Sequence, residues 1–117
     1  MVKFADLIKM KKSGCAKCFS IIYALPCQID RNLANYLKSF GKPVYPLKAV
    51  SFIRIDAGGG YHIEAKLNSK VIKFVMPKKL ENTDPDKIIR KVEFEASLAK
   101  WMADKLHISI VTAEQGK

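Results

Sequence analysis

Between Phe52 and Phe74 apolar and polar residues alternate with a period of two, and two groups of turn residues, Gly58-Gly59-Gly60 and Asn68-Ser69, interrupt the alternation. With the glycines as a hairpin loop, Ile55 faces Ile63, Ile53 faces Ala65 and Ser51 faces Leu67, while Asp56 faces His62 and Arg54 faces Glu64 on the other side. The second turn sets Ile72 against Ala65, Phe74 against Ile63 and Lys73 against Glu64. Both registers collect apolar residues on one side. On the other they align Arg54, Glu64 and Lys73, a ladder of alternating sign worth about 0.2–1 kcal/mol per pair. The pattern predicts a three-stranded antiparallel meander.

The flanking segments change period. Phe4, Leu7 and Ile8 fall at helical spacing, so residues 1–14 are expected to hold a short amphipathic helix over Lys3 to Lys12. Phe19 to Leu25 is apolar, aromatic and β-branched, and reads as a strand buried on both faces and stopped by Pro26. Asp30 is a candidate N-cap for a helix with an inner stripe of Leu33, Leu37 and Phe40, ending at Gly41. Asp84-Pro85 announces a long helix to about Leu106. That helix carries one stripe of Ile89, Val92, Ala96, Ala99, Met102 or Ala103, and Leu106, with Ile88 at its margin, and a second of Phe94, Leu98 and Trp101, which is either core or a partner-binding face. Ile108 to Thr112 reads as a last short strand beside Phe19 to Leu25, and residues 113–117 as a frayed tail. The expected fold class is α+β: one domain over residues 1–117 in the order α-β-α-β-β-β-α-β, with the meander packed against the long C-terminal helix.

Charge alters this picture more than composition does. The net charge is +10, and through Leu80 fifteen Lys and Arg stand against four acids, whereas the remainder has six basic residues to seven acidic ones. A field so lopsided attracts polyanions. Lys9, Lys11 and Lys12 on the first helix, and Lys66, Lys70, Lys73, Lys78 and Lys79 along the last two strands and beyond, are the candidate anion-binding residues. Lysine outnumbers arginine among them, which suits point contacts to phosphate more than bidentate base reading, so weakly sequence-specific, non-catalytic binding of nucleic acid, or of an acidic protein surface, is expected. Helix, three strands and helix is also the element order of a double-stranded-RNA-binding domain. Asp84, Pro85 and Asp86 occupy the place where that family has a basic cluster, so the order alone carries no function.

Cys15-Ala16-Lys17-Cys18 with Cys27 leaves several readings open. Cys15, Cys18 and Cys27 could hold zinc or an iron–sulfur cluster with a fourth ligand from elsewhere, act as redox thiols, or fill space in the core. Asp56 and His62 are expected to be ladder residues, Gly58 to Gly60 a hairpin tip rather than a phosphate loop, and His107 a residue favoured by the helix dipole. No apolar run reaches the roughly 20 residues of a membrane span, and no leader is evident, so the expectation is a cytoplasmic protein in a reducing compartment, with a homodimer contact through the C-terminal helix as one option.

Overall fold

In the computed structural model the described residues are 1–14, 17–44 and 52–112. Cys15, the facing of Ser51 and Leu67, and the tail at 113–117 lie outside them. The meander is β5 (Phe52–Gly58), β6 (Tyr61–Lys66) and β7 (Val71–Pro77), with the register the alternation implies: Ile53↔Ala65, Arg54↔Glu64 and Ile55↔Ile63, then Ile63↔Phe74, Glu64↔Lys73 and Ala65↔Ile72. Gly58 pairs with Tyr61, leaving Gly59 and Gly60 as the two-residue turn. Their φ values of 62° and 88° are those only glycine adopts without strain. A side chain at Gly60 would also meet Pro77 at 2.9 Å.

The meander forms half of a six-stranded antiparallel sheet. Added to it are β2 (Lys9–Gly14), β3 (Cys18–Ala24) and β4 (Pro43–Val44), in the order β2-β3-β7-β6-β5-β4. The helix expected over Lys3 to Lys12 is reduced to one turn, α1 (Phe4–Leu7), and the lysine-rich segment after it is the edge strand β2. Its six residues are all exposed, so burial imposes no period on their sequence. Both edges discourage further pairing, one with lysines and the other with Pro43.

Phe19, Ile21 and Tyr23 of β3 share the sheet's inner face with Ile72, Phe74 and Met76 of β7. On that face lies α3 (Ile89–Leu106), whose Phe94 ring stacks on Phe74 at 4.7 Å and meets Tyr23 and Phe40 at 5.4 and 6.2 Å. The core side of the helix is Phe94, Leu98 and Trp101 together with Ala99 and Met102 of the other predicted stripe, while Ile89, which heads that stripe, is 75% exposed. Asp84 caps a 3₁₀ turn at Pro85–Lys87 by accepting from the Asp86 amide, and α3 begins two residues after that turn. It ends at His107, left-handed at φ 57°. The last strand, β8 (Ile110–Val111), pairs in parallel with β1 (Val2–Lys3) instead of joining β3. With these adjustments the molecule is the single α+β domain expected, meander against long helix. Among the described residues no helix is long and apolar enough to cross a membrane.

Asp30 is not the cap of the second helix. That helix, α2 (Leu33–Tyr36), follows Asn32 and continues as a 3₁₀ turn at Lys38–Phe40. The Asp30 carboxylate instead ties the start of this segment to α3, accepting from Trp101 Nε1 at 3.2 Å and Lys105 Nζ at 2.7 Å. Partial burial opposes its ionisation, but the hydrogen bonds from Lys105 and Trp101 and the Lys105 charge outweigh it and hold the carboxyl below its ordinary value. A depressed carboxyl stabilises the fold above its unfolded pKa, near 3.8, and loses that contribution as pH falls through the lower folded value. Asp30→Asn is therefore expected to lower the urea midpoint at pH 7, with the difference from the parent closing as pH drops below 3.8. A gap that stays constant down to pH 2 would show that charge plays no part.

Candidate polyanion interface

Strand alternation decides which basic residues share a surface. Across the outer face of the sheet one row reads Lys11, Ile22, Lys73, Glu64, Arg54 and Val44, and beside it Lys9, Ala24 and Val71 form a second, with Lys66 facing Phe52. Five cations, Lys9, Lys11, Arg54, Lys66 and Lys73, thus occupy a face that no described helix covers. It also carries two carboxylates, Asp56 and Glu64. Glu64 is engaged by His62 Nε2 at 2.9 Å, Arg54 Nη1 at 3.3 Å and Lys73 Nζ at 3.9 Å. The predicted ladder is present, with His62 completing it through Glu64 rather than through its facing residue Asp56. Surface pairs of this kind add little stability and keep Arg54 and Lys73 extended across the sheet.

Between these charges the floor is apolar. Ile22, Phe52 and Val71 line a shallow groove of about 330 Å³ together with Glu64, Ala65, Lys66, Ser69 and Lys73. Phe52 and Ile22 are half-buried and Val71 is exposed. Lys70, in the β6–β7 turn, does not line this groove, and its charge acts on Cys27.

Other predicted anion-binding residues lie elsewhere. Lys12 points to the opposite side of β2 from Lys11; its ammonium sits 5.2 Å from the Phe19 ring and donates to the Glu81 carbonyl. Lys78 pairs with the Glu81 carboxylate at 2.9 Å, and Lys78 and Lys79 form a 3₁₀ turn beyond Pro77. The length of β7, roughly 20 Å at 3.3 Å per residue, separates them from Lys66 and Lys70. The run from Lys66 to Lys79 is therefore two patches. Arg54 belongs to the larger one, and its signal in the sequence was its place in the ladder.

Of the cysteines, Cys18 and Cys27 are described and stand apart, while Cys15 lies outside the described residues. Cys18 opens β3, whereas Cys27 follows its end, so roughly 20 Å of strand lies between Cys18 and Ala24, and the three residues from there to Cys27 can fold back only about half as far. At that separation Cys18 and Cys27 do not ligate one metal ion together. Cys27 is a core residue. Burial pushes its thiol up from the usual range, with Asp30 acting the same way and the Lys105 and Lys70 charges opposing. Among the described residues no three His, Cys, Asp or Glu side chains gather as metal ligands. Phe94, Leu98 and Trp101, the alternative partner face, are at most 1% exposed and belong to the core. Comparison of the chain with protein-family models, curated proteins and solved structures gives no match.

Proposed function

We propose that this protein binds a polyanion, nucleic acid with weak sequence preference, through the outer face of its sheet, in the cytoplasm and without catalysing a reaction. The observation that carries this reading is the gathering of Lys9, Lys11, Arg54, Lys66 and Lys73, from four different strands, on one face. Phosphates laid against such a face release their counterions, which supplies affinity without reading bases. Lysine ammoniums serve this purpose as mobile point charges.

Lys9, Lys11 and Lys66 are exposed, so they can be altered without disturbing the Arg54–Glu64–Lys73 ladder. Replacing all three by Glu is expected to weaken binding to a labelled generic oligonucleotide by at least about a hundredfold at low salt. The slope of log affinity against log salt should fall by about 2–3, for the loss of three phosphate contacts. Lys78→Glu with Lys79→Glu, in the separate patch, should have a much smaller effect. Unchanged affinity of the triple variant, with a normal unfolding curve, would overturn the proposal, and binding of an acidic protein surface would take its place.

A further inference from the structure

Resting on the nucleic-acid reading, we infer that the ligand of this face is single-stranded, its bases lying on the groove floor of Phe52, Ile22 and Val71 while Lys9, Lys11, Lys66 and Lys73 take the phosphates. The argument is one of charge and surface complementarity. A duplex presents phosphates outward and keeps its base faces stacked inside, so it would meet the cations but leave the apolar floor without a partner. A single strand offers both surfaces at once. Phe52 stands directly opposite Lys66 in the ladder and shares the groove with Lys66 and Lys73, so an aromatic face and two ammoniums lie within one nucleotide's reach. Base stacking on an aromatic ring is tolerant of sequence, in keeping with lysines that read no base edge. From Lys11 on β2 to Arg54 on β5 the row crosses five neighbouring strands, a span of about 19 Å at roughly 4.8 Å per strand, enough for a few nucleotides. With one aromatic ring on the floor, a single base is stacked and its neighbours rest on aliphatic carbon.

The test is a set of anisotropy titrations of the full chain with labelled oligothymidine of about twelve nucleotides, a duplex of the same length, and heparin as a polyanion without bases. The single strand is expected to bind at least about tenfold more tightly than the duplex. Phe52→Ala should lose about tenfold on the single strand, leave the duplex and heparin unaffected, and keep the salt slope, because stacking releases no counterions. Phe52→Tyr, which keeps the ring, should restore binding. It also guards against a folding defect, since Phe52 is only half-buried on the outer face. Duplex or heparin bound as tightly as the single strand, or a neutral Phe52→Ala, would overturn the single-strand inference and leave the polyanion reading standing. Binding to none of the three probes would overturn both.

Discussion

Phe94→Ala is expected to lower the unfolding free energy by about 3–5 kcal/mol, a large share of the 5–15 kcal/mol typical of a domain. The ring is fully buried, stacks on Phe74 and takes tilted or edge contacts from Tyr23 and Phe40. Its removal leaves a cavity where α3, the sheet and the 3₁₀ turn before Gly41 meet. Those elements are held apart by one another's side chains, so relaxation can fill the space only in part. Urea titration followed by the fluorescence of Trp101, the only tryptophan, measures the loss directly. A midpoint close to that of the parent would mean that the aromatic cluster is not the centre of the core.

An effect of similar size is expected from a charge. Lys91 is buried in α3, and its ammonium lies 3.0 Å from Glu95 and 3.6 Å from Asp86. Glu95 is itself largely buried and accepts a second hydrogen bond at 2.8 Å from the hydroxyl of Tyr23, so one carboxylate fixes both groups between helix and sheet. The Tyr23 phenol is held protonated, chiefly by burial and further by the Glu95 charge and hydrogen bond. Glu95→Ala deprives the phenol of its acceptor and leaves the ammonium only the exposed Asp86, at an expected cost of about 3–5 kcal/mol. Lys91→Met combined with Glu95→Gln removes both charges and keeps an acceptor for Tyr23, so it should recover most of that loss. If the double variant were as unstable as Glu95→Ala, packing around Glu95, and not the stranded charge, would be the cause.

The meander was legible because each strand has one wet and one dry face. Ile53, Ile55, Ile63, Ala65, Ile72 and Phe74 mark the dry side at every second position, and the glycine and Asn-Ser turns leave little choice of register. The edge strand Lys9–Gly14 carries no such mark, since both of its faces meet water. Phe4, Leu7 and Ile8 just before it show a helical spacing that fills one turn and then stops. A helix there carries Lys9, Lys11 and Lys12 together, whereas strand alternation puts Lys12 on the side opposite the other two. Lys66 and Lys73 could be read because they lie in the meander. The join of Lys9 and Lys11 to them could not, because it depends on β3 lying between β2 and β7. Nor does adjacency in sequence measure distance when a strand intervenes, which is why Lys66 and Lys79 part company.

The pairing of Val2 with Ile110 and Lys3 with Val111 has a consequence for the order of events in folding. This two-residue ladder closes a loop of about a hundred residues, and such closure costs entropy that two strand pairs cannot repay by themselves. The hairpins of the meander close over only a few residues. A chain collapsing from the unfolded state will therefore nucleate around β5, β6 and β7, dock α3 on their dry face, and join its first and last strands once the rest of the core has already brought them within reach.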